Sequence, residues 1–401
     1  VTFARLGVFV GGCTLEAAEQ VCQTTLETLG TLVDNNLLRR RDSRFTMLET
    51  MRHFAVERLE EAGAVEVRLR HAEWLTELAE SLEAQRVVGD DVWLDLVQPE
   101  HDNARAALAW SLEEEPVLAL RLASGLKTFW EVRGHFREGF RWVEEALVRA
   151  ADAPPRLRMK ALALSGSIAT RLGNQELAQE RKEAALGHAR ELHDDLWIAR
   201  ELSDLGTIAA MLDDLEQASA LMEEGAALFR ELDQPARLAT VLANLGHIAG
   251  ERGDYARAIE VTEEALALQS SKGNATIATY NLGSYHLLSG DLEQARKWLE
   301  RAVALTLELG FKEVMAYALG AYARACLLEG DPGRAAHLAG IADRLLADAG
   351  VQLQPSERAP FEAAKEKARQ ELGDAYDAAH DAAMAAPLED ALRQGAVLTE
   401  A

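Results

Sequence analysis

The sequence predicts an all-α fold, a superhelix of stacked helical hairpins preceded by a smaller domain of different patterning. Three regularities predict it. A turn dipeptide recurs as Gly173-Asn174, Asp213-Asp214, Gly253-Asp254, Gly290-Asp291, Gly330-Asp331 and Gly373-Asp374, at spacings of 40, 40, 37, 40 and 43 residues. Five positions after each turn stands an alanine: Ala178, Ala218, Ala258, Ala295, Ala335 and Ala378. Seven positions before it, four of the six copies carry glycine: Gly166, Gly206, Gly246 and Gly283. Self-similarity at a near-constant period marks supersecondary units that bury their apolar faces only by stacking on one another.

Each unit follows from these positions. Leu242, Leu245, Ile248 and Ala249, then Ala258, Val261, Ala265 and Leu266, recur at three and four residues, so two helices flank each turn. The turn glycine closes the first helix in a left-handed conformation, and the Asp or Asn after it caps the second. Gly246 and Ala258 are small because the two helices cross there, where a larger side chain would hold the backbones apart. Gly134, with Gly139 five residues on, lies 39 before Gly173 and predicts one more, degenerate hairpin.

The N-terminal part reads differently. Residues 3 to 9 run into Gly11-Gly12 and then the helical pattern Leu15 to Val21, and a second helix runs from about Thr25 to Asp34. Leu37-Leu38-Arg39-Arg40 and Arg44 to Leu48 flank Asp42-Ser43 as a hairpin. Helices followed by such a wing describe a winged helix, and Glu49 to Leu59 reads as the helix that leaves it. The expected domains are a winged helix over 1–62, truncated at its start, a helical connector over 63–115, the degenerate hairpin over 116–154 and the repeats over 155–397.

Composition bounds the function. With 401 residues and 48% hydrophobic content the chain can bury an extended core. A formal charge of −24 disfavours nucleic-acid binding by the chain's overall field. Cys13, Cys22 and Cys326 have no C-x-x-C spacing and are expected as buried small hydrophobes in a reducing compartment. No run of about 18 apolar residues appears, and no signal peptide opens the chain, so the expectation is a cytoplasmic protein without membrane contact. His193-Asp194-Asp195 reads as a polar inter-repeat loop, since a metal needs three or four convergent donors. No G-x-S-x-G or G-x-x-x-x-G-K-[ST] occurs, so the chain is expected to be no enzyme and to hold no cofactor.

The L-x-x-L-G of Leu242 to Gly246 and the G-D-Y-x-x-A of Gly253 to Ala258 resemble tetratricopeptide repeats, with a period longer than the usual 34. That resemblance implies a right-handed superhelix. The N-terminal F-x-R-L-x-V-F-x-G-G, the L-V-D-x-x-L-L, the F-x-M-L-E-T-x-R-x-F-A-x-E-R-L, Arg70-His71-Ala72, and Glu100 to Leu108 with Trp110 resemble the segment after the ATPase module in bacterial STAND-class ATPases. Phe129-Trp130 through Gly134 to Glu138-Gly139, and Leu372 to Tyr376, extend that resemblance to nearly the whole chain. Many proteins of that class are LuxR-type transcriptional regulators. The resemblance implies a fragment of a longer protein, a sensor and autoinhibitory arm whose winged helix contacts its own nucleotide-binding module. ATP and magnesium would be bound only by that module.

Repeat geometry also nominates binding residues. In tetratricopeptide arrays the first helix of each hairpin lines the concave face. Six residues before the Gly166-type marker stand Arg121, Lys160, Arg200, Thr240, Ile277 and Tyr317. One residue after it stand Thr128, Ser167, Thr207, His247, Ser284 and Arg324, and three before it Ser124, Ala163, Ser203, Ala243, Tyr280 and Gly320. Arg121, Lys160, Arg200, His247, Tyr280, Tyr317 and Arg324 are therefore the candidate ligand residues. They suit a protein partner or a small, anionic inducer. The alternatives are that the cations pair with glutamates on adjacent helices, that the aromatic residues serve packing, and that the chain is a passive scaffold for protein partners. Arg39-Arg40-Arg41 resembles a DNA-contacting wing, which in this class faces the ATPase module.

Overall fold

The computed structural model describes residues 1–85, 92–269, 271–353, 355–395 and 397, and divides into two compact units, Val1–Glu201 and Leu202–Ala401. The first unit opens with α1 (Thr2–Leu6), β1 (Cys13–Thr14), α2 (Leu15–Cys22), α3 (Leu26–Asp34), β2 (Arg39–Arg41), β3 (Arg44–Thr46) and α4 (Glu49–Glu61). Side-chain oxygens of Thr14 and Thr25 cap α2 and α3. The predicted hairpin forms, with Arg40 opposite Phe45, and β1 adds a third antiparallel strand in the order β1-β3-β2. Its apolar centre joins Leu6, Phe9, Val21, Leu29 and Phe45 to Ala64 and to Val67 of the helix that follows it, α5 (Val65–Gln85).

After α5 come α6 (Val92–Val97), a 3-10 turn at Gln98–Glu100, α7 (His101–Glu114), α8 (Pro116–Gly125), α9 (Lys127–Arg133) and α10 (Phe136–Arg149). Where a degenerate hairpin is expected there are three helices, the stretch before Gly134 being divided into α8 and α9. Gly125 ends α8 where a Cβ would lie 3.1 Å from the Cβ of Ala79, so close approach to α5 requires glycine at the break. Gly134 closes α9 at φ +74°, and a Cβ on Gly139 would fall 2.5 Å from the Trp130 ring.

The hairpins follow as α11 (Pro155–Arg171) with α12 (Gln175–Glu191), α13 (Asp195–Met211) with α14 (Leu215–Glu231), and α15 (Pro235–Glu251) with α16 (Tyr255–Leu268). Then come α17 (Lys272–Ser289) with α18 (Leu292–Leu309), α19 (Lys312–Leu328) with α20 (Pro332–Ala349), α21 (Pro355–Leu372) with α22 (Asp374–Ala385), and α23 (Leu388–Gln394). The turns behave as expected. Gly173, Gly253, Gly290, Gly330 and Gly373 all have positive φ, and Asp213 takes φ +65° in the copy without glycine. Asn174, Asp214, Asp254, Asp291 and Asp331 each cap the next helix through a side-chain oxygen. Gly373-Asp374 departs from this pattern, because Gly373 is itself the N-cap and Asp374 lies inside α22.

The marker glycines hold the crossings. A Cβ on Gly206 would lie 2.6 Å from Met222 Cγ, on Gly246 2.3 Å from Thr262 Oγ1, and on Gly283 2.7 Å from Leu299 Cγ. The counterpart of these facing residues opposite Gly166 is Lys182, whose Cγ would lie 2.8 Å from such a Cβ. Its ammonium meets Glu201 at 3.2 Å, with both side chains fully inside the first unit. All three cysteines are buried, and burial pushes the Cys22 and Cys326 thiols up to about 12.

Candidate functional site

The three candidate cations of the first unit have different surroundings. Arg121 on α8 donates from Nε and Nη2 to the two carboxylate oxygens of Glu80 on α5, at 3.0 and 2.7 Å. That hydrogen bond, ahead of the charges of Glu77 and Glu73, raises the Arg121 pKa. The pair is a bidentate fork at the surface, where it is worth about 0–1 kcal/mol. Lys160 on α11 is exposed. Arg200 on α13 lies over the Trp197 ring at 4.1 Å, a cation–π contact within its own helix. Arg121 and Arg200 therefore already have partners within the chain.

In the second unit His247 is exposed and lies 3.5 Å from Glu251, one turn on in α15. Tyr280, Tyr317 and Arg324 cluster. Tyr280 and Ser284 stand one turn apart on α17, so they share a face. The rings of Tyr280 and Tyr317 lie 6.2 Å apart at a 58° tilt, which joins α17 to α19. Tyr317, Gly320, Ala321 and Arg324 form one side of a crevice whose other side is Leu353, Glu357 and Phe361. Its empty space, about 180 Å³ with open solvent included, is nowhere wide enough to hold a water molecule. A Cβ on Gly320 would meet the Phe361 ring at 3.4 Å, which sets how closely α21 approaches α19.

The polar atoms of this cluster are incompletely satisfied. The Tyr280 hydroxyl and Ser284 Oγ are both buried and make no hydrogen bond. Ser284 and Glu357 are near enough to act on the Tyr280 phenol, but neither is in hydrogen-bonding geometry. Burial raises the phenol's pKa, the Glu357 carboxylate raises it further, and the Arg324 guanidinium opposes. A buried hydroxyl left without a partner costs about 1–3 kcal/mol, and native proteins keep few of them.

Glu357 and Phe361 belong to no inner row derived from the repeat frame, and sequence reasoning did not select them. They lie in α21, whose repeat carries Glu366 where four others carry glycine. The role of Glu100 and Asn103 was also out of reach, although the motif that holds them stood out. Asn103 is fully buried; its Oδ1 accepts from the backbone N–H of Val10 at 2.7 Å and of Gly11 at 3.3 Å. Its Nδ2 donates to Gly12 O at 2.9 Å and to Glu100 Oε2 at 2.6 Å. Arg44 of the hairpin pairs with Glu100 and donates to Gly12 O at 2.9 Å. The Gly11-Gly12 and Glu100-x-x-Asn103 motifs are thus two halves of one polar lock. Arg70 extends this docking by donating to Val21 O at 2.9 Å, and His71 packs edge-on to Phe9 at 5.0 Å.

Residues 244–306 match the tetratricopeptide repeat family model. A protein of Mycobacterium tuberculosis, named "Putative HTH-type transcriptional regulator Rv0890c", is 32% identical over 223 residues, 51% of this chain and 25% of that protein. A Mycobacterium bovis protein with the same description matches equally. The chain spans about a quarter of the length of these curated relatives. Among solved structures, the apo form of RapI superposes with a TM-score of 0.54 at 14% identity, over 79% of this chain and 85% of that one. A STAND protein with a tetratricopeptide repeat sensor from Pyrococcus horikoshii gives 0.49 at 15% identity, over 95% and 64%. Among the described residues no helix is long and apolar enough to cross a membrane. The capped Gly-Asp turns and glycine-held crossings of the matched segment recur along the chain, which folds as an array of tetratricopeptide-like helical hairpins.

Proposed function

We propose that this chain is the sensing and autoinhibitory arm of a STAND-class signalling ATPase that regulates transcription, and that it binds a small inducer or a protein partner through the inner face of α17 and α19. One observation carries the binding side: two buried hydroxyls without partners, Tyr280 and Ser284, beside Tyr317 and Arg324. The order helix–strand–helix–helix–strand–strand in residues 2–46 supports a winged helix at the N-terminal end. The relatives' description as HTH-type transcriptional regulators supports the regulatory setting. On this view a nucleotide-binding module outside the chain holds ATP and magnesium, and the winged helix contacts that module. The lock from Asn103 to the Gly11-Gly12 loop carries changes in the repeats toward it.

Coupling of this kind requires a ligand that binds the active arrangement better than the resting one. The test is the basal nucleotide hydrolysis of the full-length regulator with and without residues 155–397. Deletion is expected to raise it several-fold, and equal rates would refute autoinhibition.

A further inference from the structure

The chain's own helix α21 fills the space beside α19, and it does so without behaving as an arm of a hairpin. In α15–α16, α17–α18 and α19–α20 the two arms pack chiefly on each other. α21 instead packs on α19 and α20 and only lightly on α22, which takes α20 as its main neighbour. At that contact a Cβ on Gly340 of α20 would lie 2.3 Å from His380 O of α22. Where other repeats carry the marker glycine, α21 carries Glu366. Among its described side chains it buries only Phe361, Ala364 and Ala368, whereas α19 buries eleven residues. Pro360 leaves one rung of its hydrogen-bond ladder open, and two glycines at positive φ, Gly350 and Gly373, flank it as hinges. Beyond α21 the chain is fixed to α20 again: Arg334 donates to Gly395 O at 2.9 Å, and His337 Nε2 meets Ala391 O at 2.8 Å.

The face that α21 closes is left with unmet polar groups. The Tyr280 hydroxyl, near enough to Glu357 to feel its charge, and Ser284 Oγ on the same helix have no hydrogen-bond partner. Arg324 and Glu357 line one crevice and form no ion pair among the described residues. We propose that α21 is a strap, a displaceable occupant that closes the face of α17 and α19 until a helix of a protein partner takes its place. This inference rests on the binding face proposed above and names what gates it and what enters it. The strap's own side chains define the partner: an acidic residue one turn before an aromatic one, as Glu357 stands before Phe361. The partner's ring enters the place that Gly320 leaves open to Phe361, and its carboxylate meets Arg324 and the Tyr280 hydroxyl. Departure of α21 also lets buried hydroxyls find partners, which offsets part of the packing lost with Phe361.

Hydrogen exchange of the unaltered 401-residue chain is the first test, because it needs no substitution. Amides of α21 are expected to exchange faster than those of α20 before it and of α22 after it. Protection of α21 equal to both neighbours overturns the strap, and so does protection that falls steadily toward the end of the chain, which is fraying. The second test is fluorescence anisotropy of a labelled peptide with the sequence of α21, Pro355–Leu372, added to the full chain. A tethered strap competes at an effective concentration on the order of millimolar, so loosening it should admit the peptide at least about tenfold more tightly. Phe361→Ala loosens it at its anchor, and Lys365→Gln does so without touching the core, by removing the ion pair to Asp343 at 3.0 Å. Peptides carrying Glu357→Gln or Phe361→Ala are expected to bind about tenfold more weakly, as loss of a charge-assisted contact or of a buried anchor does. Equal behaviour of the unaltered and loosened chains, no binding to either included, overturns the inference, and so does binding indifferent to both peptide changes. The deletion experiment on the full-length regulator does not depend on whether α21 opens, so the two readings fail separately.

Discussion

The helix crossings at Gly166, in the first unit, and at Gly283, in the second, share one backbone solution and differ in chemistry. In both, a glycine lets the second helix of the hairpin approach until a Cβ would overlap the facing side chain, Lys182 at 2.8 Å and Leu299 at 2.7 Å. Leu299 fills its crossing with hydrocarbon and is completely buried. Lys182 lays its methylenes in the same place and then buries its ammonium against Glu201. Equivalent positions elsewhere are apolar or neutral: Met222 and Thr262 for Lys182, Ala161, Val241 and Ala278 for Glu201. The repeat frame therefore dictates a size at the marker and leaves the facing position free to be ionic. A buried pair of this kind contributes little net stability, because desolvating two charges offsets their attraction.

Four variants test that comparison, in decreasing order of effect. Glu201→Ala takes the carboxylate from a buried ammonium and is expected to cost about 3–5 kcal/mol in denaturant unfolding. Replacing both partners by the residues of the neighbouring copies, Lys182→Met with Glu201→Val, should be neutral or stabilising by about 1–4 kcal/mol. A large loss in that double variant would show that the pair does more than fill space. Gly283→Ala should cost about 1–3 kcal/mol, because its Cβ meets Leu299 in a filled crossing. Arg121→Ala, which breaks a surface fork, should change stability by less than about 1 kcal/mol.

The repeats were legible because their constraints are local and recur. A left-handed turn needs glycine or a tolerant aspartate, a cap needs a short oxygen-bearing side chain, and a crossing needs a missing Cβ. The same turns therefore announce themselves at Gly173, Gly253 and Gly290. The hairpin at Arg39–Thr46 was legible from its turn, whereas β1 has only two residues, Cys13 and Thr14, too few for any periodicity. The polar lock was visible as motifs but not as contacts, since Asn103 and Gly12 are 91 positions apart. For the candidate residues, the frame put Tyr280, Tyr317 and Arg324 on the first helices of their hairpins, α17 and α19. It could not show that Glu80 and Trp197 engage Arg121 and Arg200, because those partners depend on rotamers and on neighbouring helices. Nor could it show that Tyr280 and Ser284 lack partners, which only packing reveals.

The most direct test of the sensing role is the inducible output of the full-length regulator carrying Tyr317→Ala with Arg324→Glu. Both side chains line the crevice outside the helix crossings, so the fold and basal output should persist. The account predicts that basal output stays near the wild-type level and that the response to inducer falls by at least about tenfold, the loss expected when a charge-assisted contact is reversed. An unchanged response would contradict it and would move the sensing surface away from α17 and α19.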